Sequence, residues 1–212
     1  MSKNSPQYKA GNSMPIKGCM FQIRIHGRGG QGVVTAADLF AVAAFLEGKH
    51  AQAFPSFGSE RMGAPVVAFC RISSTEIRLR EPVLEPDALI IQDPTLCASV
   101  DVCEGLSQNG YILINSKKSP KELGINDRVR NLPPKHVLYL DAAAIATEHV
   151  GRPIPNAVLL GAFAAQTEIL QLENVKSAIL TKFPGSMGEK NVAAATAAFE
   201  SVQQRFQGAD SC

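Results

Sequence analysis

Six consecutive residues, Gly27-Arg28-Gly29-Gly30-Gln31-Gly32, have the spacing G-x-G-x-x-G. They lie between an apolar stretch suited to a strand and another suited to a helix, the context that this spacing requires. Glycines there permit positive φ and close backbone approach, and a helix N-terminus holds N–H groups without partners. The run therefore suits a phosphate or other anion. Arg28 adds a fixed positive charge beside it. A tight turn with no ligand is the competing reading of the same residues. A second constellation, Phe57-Gly58-Ser59-Glu60-Arg61-Met62-Gly63-Ala64-Pro65, has paired glycines, a closing proline and adjacent opposite charges. Arg61 has the chemistry to clamp a phosphate or carboxylate. Here the competing reading is a solvated charge pair on a surface turn.

The usual nucleotide chemistries fit poorly. A dinucleotide fold calls for an acidic residue at the end of the second strand, about 20 residues on, to hold the ribose. The second strand is expected at His50–Phe54, HAQAF, which has no Asp or Glu, and Glu60 comes late, in a loop. The glycine run also lacks the Lys-Ser/Thr ending of a P-loop. His26 reads as a ligand-orienting residue or a hydrogen-bonded core histidine. Asp93 and Asp141 stand at strand ends, Asp93 also reading as a cap for the next helix. Asn156 reads as a helix cap, and Lys117 and Lys118 as solvated. No nucleophile–base pair, paired-carboxylate motif or His/carboxylate metal cluster emerges. The five cysteines, Cys19, Cys70, Cys97, Cys103 and Cys212, include no CxxC. They indicate neither a disulfide framework nor a zinc ribbon nor a cluster site, but reduced cytosolic thiols.

Positioning these residues requires alternating strands and helices. Met20–His26 reads as a strand, and Gly29–Leu46 as the glycine loop running into a helix stopped near Gly48. Val66–Ile72 and Ile77–Leu79 are expected to form a hairpin through Ser73, Ser74 and Thr75. Ala88–Ile91, Tyr111–Ile114 and Val137–Leu140 read as buried strands. Thr95–Gln108 reads as a helix that places Cys97 and Cys103 on different faces, and residues 117–134 as an exposed excursion. Helices are expected over 156–170, 173–182 and about 189–206. The fold class is α/β: one Rossmann-like domain over 19–212, with a mainly parallel sheet flanked by helices, a β-hairpin insertion and a helical C-terminal part. Ligands in such sheets collect at the carboxyl ends of the strands. The turns after His26, Gln92, Asn115 and Asp141 are the expected meeting place.

The chain has 212 residues, 45% of them hydrophobic and 19% charged, which suits a folded domain rather than a disordered chain. With 21 basic and 19 acidic side chains the net charge is +2, so charge gives no case for nucleic acid or an anionic membrane. Trp is absent and aromatics are 6%, which argues against base stacking. Residues 1–18 are polar, with no apolar h-region, and read as a flexible extension rather than a signal peptide. No apolar run approaches a membrane span.

IRIHGRGGQGVVTAADLFA, GKHAQAFPSFGSERMGAPVVAFCRIS, PDALIIQD, YILINS, LDAAAIA and NAVLLGAF together resemble the gamma subunit of 2-oxoacid:ferredoxin oxidoreductases, the pyruvate enzyme above all, over residues 19 to 206. The resemblance implies a non-autonomous subunit of a cytoplasmic enzyme. That enzyme oxidatively decarboxylates a 2-oxoacid to acyl-coenzyme A and CO2, or runs the reverse synthesis, with ferredoxin as electron partner. It implies thiamine diphosphate, Mg2+ and iron–sulfur clusters in alpha, beta and delta partner subunits, with this chain covering the active site and helping to bind coenzyme A. Carried onto this sequence, Gly27, Arg28, Gly29, Gly30, Gln31 and Gly32, with Ser59 and Arg61, become the coenzyme A-binding residues. The place of Glu60 is taken by a lysine in the fused enzymes, which weakens a phosphate contact by Glu60 itself. A 2-oxoglutarate, 2-oxoisovalerate or indolepyruvate enzyme, or a purely structural assembly subunit, are the alternatives. A freestanding Rossmann oxidoreductase is disfavoured by the missing ribose acid.

Overall fold

The computed structural model describes residues 20–56 and 62–209. Strand β1 (Met20–Arg28) alternates its side chains strictly: Phe21, Ile23 and Ile25 enter the main core, while Gln22, Arg24 and His26 face the other way. After the glycine loop comes helix α1 (Val33–Leu46), which leads into β2 (His50–Pro55) and β3 (Pro65–Ser73). Strands β4 (Ala88–Ile91), β5 (Tyr111–Asn115) and β6 (Val137–Leu140) follow, with a one-turn helix α2 (Asn126–Val129) between the last two. Helices α3 (Ala142–Val150), α4 (Asn156–Thr167), α5 (Leu172–Lys182) and α6 (Ser186–Ala209) complete the described chain.

The six strands form one sheet in the order β2-β3-β1-β4-β5-β6. β1 pairs in parallel with β4, β4 with β5 and β5 with β6, whereas β3 runs antiparallel to both β1 and β2. Five strands therefore share one direction, and the mainly parallel α/β reading holds. The hairpin is made by β2 and β3, not by β3 and residues 77–79. With β2 on one side and β1 on the other, β3 has no free edge for Ile77–Leu79, which take no strand pairing. Residues 81–84 cross over the sheet instead, and their carbonyls meet buried arginines. Glu81 O accepts from Arg71 Nη2 at 2.6 Å, and Val83 O and Leu84 O from Arg24 Nη1 at 3.5 Å.

The helix expected over 95–108 is reduced to a 3-10 turn, Pro94–Ala98, followed by irregular turns. Arg24 supplies a reason. Its guanidinium is buried on the sheet, and Nη2 donates to Val102 O and Glu104 O. A helix would tie these carbonyls up internally and strand a buried charge. Gly105, at φ +71°, lies so close to Leu84 O that a Cβ would sit 2.0 Å from it, so a side chain is barred there. Cys97 and Cys103 consequently pack against a second, smaller core with Leu89, Ile91, Ile112 and Ile114, and do not share one helix. The excursion over 117–134 is also less exposed than expected, because Ile125 and Val129 close that same core. The main core fills the opposite face, where α1 and α4 cover the sheet, α6 packs on α4, and Phe40 meets Phe163 edge to face at 4.9 Å.

Candidate anion-binding loop and sheet crevice

The glycine loop joins the carboxyl end of β1 to α1. Gly27 and Arg28 are still strand, paired with Val66 and Pro65. Gly30 (φ +90°) and Gly32 (φ +72°) then take left-handed backbone, which delays the helix to Val33 rather than Gly29. Gly32 is the N-cap and has no side chain to cap with, so the first-turn amides of Val33, Val34 and Thr35 have no intrahelical acceptor. Val33, Val34 and Thr35 line a recess of about 280 Å³ with Arg28, Gly29, Gly30 and Val66. A helix start whose N–H groups lack intrahelical acceptors, at the positive end of the helix dipole, suits an anion.

The two constellations seen in the sequence meet here. Gly29 N donates to Ala64 O at 2.9 Å and Gly63 N to Gly29 O at 3.1 Å, with Met62 bridged to Gly29. Ser59, Glu60 and Arg61 lie outside the described residues, and the chain re-enters at Met62 against the loop. Arg28 is braced rather than free. Its Nη1 donates to Gly63 O at 3.0 Å, its Nη2 to Thr95 Oγ1 at 2.8 Å, and Nε stands 3.2 Å from Asp93 Oδ2. The charge expected beside the anion is thus paired with a carboxylate. Gly27 owes its identity to packing, since a Cβ would lie 2.6 Å from Val33 Cγ2.

Beyond the loop, the carboxyl ends of β1, β4 and β5 frame a crevice of about 410 Å³, lined in part by Gly30, Gln31, Gln92, Asp93, Asn115 and Ile154. Of the four expected turns, those after His26, Gln92 and Asn115 meet here, and Ala143 of α3 brings the fourth close. Asp93 caps the 3-10 turn as expected, accepting from Thr95 N, and Asp141 caps α3 through Ala144 N. Lys117 pairs with Asp141 at 3.2 Å. Asn156 differs from its reading as a cap. It is the first helical residue of α4, with Pro155 as N-cap, and it is buried. Its Nδ2 donates to Gly32 O at 3.1 Å and its Oδ1 accepts from Gln92 Nε2. A Cβ on Gly32 would lie 2.7 Å from that Nδ2, so Asn156 sets the shape of the loop from behind. The sequence places the turns after Gln92 and Asn115 at the site but gives neither side chain a role. Asn115 Nδ2 holds Gln92 O at 2.9 Å and its Oδ1 accepts from Ala143 N at 3.1 Å. Each closes a buried apolar strand, and an amide at that boundary is the signal they gave.

His26 is a core histidine. It is buried, and its Nε2 accepts from Arg24 Nε at 3.1 Å. Among the described residues no three His, Cys, Asp or Glu side chains are grouped to hold a metal. Cys70, Cys97 and Cys103 are free thiols, and burial raises the pKa of all three, that of Cys103 to about 11. Among the described residues these thiols are not grouped with further ligands, so they do not make up the four-thiolate donor set of an iron–sulfur cluster. No described helix is long and apolar enough to cross a membrane.

The described fold is an α/β domain built on a mainly parallel six-stranded sheet, with an uncapped glycine loop at the β1–α1 turn. The profile of the pyruvate ferredoxin/flavodoxin oxidoreductase family matches residues 22–201. The chain is 48% identical over 184 residues to a "Pyruvate/ketoisovalerate oxidoreductases common subunit gamma" of Pyrococcus abyssi, covering 87% of this chain and 98% of that one. It is 47% identical over 187 residues to the "Pyruvate synthase subunit PorC" of Methanocaldococcus jannaschii, covering 88% and 99%. The crystal structure of the pyruvate oxidoreductase subunit PORC of Thermotoga maritima superposes with a TM-score of 0.74 at 35% identity, covering 86% of this chain and 96% of that one. At 20% identity and TM-score 0.64, the same fold recurs within the longer 2-oxoglutarate:ferredoxin oxidoreductase chain of Magnetococcus marinus, covering 89% of this chain and 31% of that one. The chain belongs to the pyruvate ferredoxin/flavodoxin oxidoreductase family, and within it to the gamma-subunit type.

Proposed function

We propose that this subunit works in a cytoplasmic 2-oxoacid:ferredoxin oxidoreductase with pyruvate as the main substrate, covering the active site and receiving coenzyme A on the glycine loop. Alpha, beta and delta partner chains hold thiamine diphosphate, Mg2+ and the iron–sulfur clusters that pass electrons to ferredoxin. The observation that carries this reading is the uncapped start of α1, where Val33, Val34 and Thr35 offer first-turn amides to a recess beside Arg28. Coenzyme A is a large anion, and its diphosphate or 3′-phosphate suits such a place. The subunit's contribution is proximity: it holds the cosubstrate thiol where partner chains activate the 2-oxoacid. Gly29, Gly30, Gln31 and Gly32 form the cradle, with Arg28 at its wall, and the family resemblance assigns Ser59 and Arg61 to the same ligand.

The test uses the assembled complex. Arg61→Ala should raise KM for coenzyme A about tenfold, equivalent to roughly 1.4 kcal/mol, and leave KM for the 2-oxoacid unchanged. An unaltered KM for coenzyme A removes Arg61 from the site. The Pyrococcus abyssi relative is named as common to a pyruvate and a ketoisovalerate enzyme, which favours placing 2-oxoacid choice outside the gamma chain. Exchanging the partner chains while retaining this subunit should therefore switch the preferred 2-oxoacid.

A further inference from the structure

We propose that Asp93 is the positioning residue that holds the glycine loop in its anion-receiving shape. The inference rests on the coenzyme A reading of that loop. Asp93 follows β4, whose end is tied to β1 by Gln92 N donating to His26 O at 2.8 Å. The carboxylate is nearly buried and divides its two oxygens between two tasks. Oδ1 accepts from Thr95 N at 3.0 Å and from Thr95 Oγ1 at 2.5 Å, which caps the 3-10 turn. Capping needs no more than that.

Oδ2 is turned to the glycine loop. It accepts from Gln31 Nε2 at 2.8 Å and stands 3.2 Å from Arg28 Nε. Gln31 in turn accepts, through Oε1, the backbone N–H of Arg28 at 2.8 Å. The carboxylate therefore grips the loop twice, once through a side-chain amide that buckles the loop backbone and once through a guanidinium. Arg28 extends the link to Gly63 O, so one carboxylate ties together the loop, the 62–64 turn and the 3-10 turn.

The electrostatics agree with this role. A bare carboxylate beside an anion site would repel the ligand, whereas the Arg28–Asp93 pair presents almost no net charge. Attraction is then left to the backbone amides, whose direction depends on the loop being held. Burial pulls the Asp93 carboxyl upward, but the bonds from Thr95 and Gln31 and the Arg28 charge outweigh it, leaving the group below its usual range and ionised.

Asp93→Asn separates the two tasks. The amide keeps an oxygen for Thr95 N but turns an NH2 toward Gln31 and Arg28. In the assembled complex it should raise KM for coenzyme A about tenfold, with kcat and KM for the 2-oxoacid within twofold of wild type. Gln31→Ala should raise the same KM, and the double variant should be no worse than the worse single one, because both act through one link. Asp93→Glu, which keeps the charge and both acceptors, should recover part of the affinity. An unchanged KM in Asp93→Asn, or a hundredfold rise in the double variant, overturns the proposal. Should Asp93→Asn fail to assemble, Gln31→Ala decides alone, and an unchanged KM there overturns it. If Arg61→Ala also has no effect, the coenzyme A reading itself has failed. If Arg61→Ala raises KM while both loop-link variants do not, the loop receives the ligand without help from Asp93.

Discussion

Gly161→Ala should destabilise the protein by about 3 kcal/mol or more, although alanine is intrinsically the better helix former by roughly 1 kcal/mol. The reason is the crossing of α4 and α6. An ideal Cβ on Gly161 would lie 2.1 Å from Ala195 O, 2.8 Å from Ala195 C and 2.9 Å from its Cα. All three are backbone atoms, so no side-chain rotation relieves the overlap. The helices must move apart by about an ångström, and interiors packed to crystal density do not absorb such a shift. Ala194, Ala195 and Ala198 of α6 and Leu160 and Phe163 of α4 are fully buried around the crossing, so each would lose contacts. The comparison within the same molecule is Gly208→Ala in the last turn of α6, where a Cβ meets nothing within 4 Å. That substitution should be neutral or stabilising by a few tenths of a kcal/mol. Urea unfolding of the two variants checks the pair, and a Gly161→Ala midpoint equal to wild type would show that the crossing is not rigid.

Much of the fold was legible because period-2 and apolar-run signals are strong where one or both faces are buried. β1, β4, β5 and β6 came out within two residues of their expected places, and Val137–Leu140 matched at both ends. What could not be read was pairing. Ile77–Leu79 has strand-like composition, but the edge it would need is taken by β1, which depends on the whole sheet order. The lost helix over 95–108 is similar: local pattern favoured it, and a buried arginine 78 and 80 residues earlier claimed two of its carbonyls.

The site divides along the same line. The glycine loop announces itself through residue type, and its neighbour Met62-Gly63-Ala64 lies against it as a shaped loop would. Gln92, Asn115 and Asn156 mark a strand end or a helix start but not their partners, because an amide in sequence carries no direction. Only the parallel pairing of β1 with β4 and β4 with β5 brings Gln92 and Asn115 to the same edge. Arg28 shows the opposite case. Its type suits an anion, but its three contacts with Asp93, Thr95 and Gly63 make it a brace of the loop wall.

Acid should weaken the fold through His26, with stability falling by about 3 kcal/mol between pH 7 and pH 4. His26 lies on the sheet face opposite α1, and burial, helped by the adjacent Arg24 charge, lowers its pKa to about 4 from the ordinary 6.5. Above 6.5 the imidazole is neutral in both folded and unfolded chains, and the full stability is present. As pH falls below 6.5 the unfolded chain takes up the proton first, so unfolding is favoured progressively until the folded value near 4 is passed. Protonation would also cost Nε2 its role as acceptor from Arg24 Nε, placing two cations 3.1 Å apart on a covered face. His26→Gln retains an acceptor for Arg24 and cannot titrate, so its urea midpoint should stay flatter over this window. Carboxylates titrate in the same samples: Asp87 is raised by burial, and Asp93 is held low against its own burial by Thr95, Gln31 and Arg28. They are common to both proteins, and the difference between wild type and His26→Gln isolates the imidazole. Parallel pH profiles for the two would mean that His26 takes up its proton without disturbing Arg24.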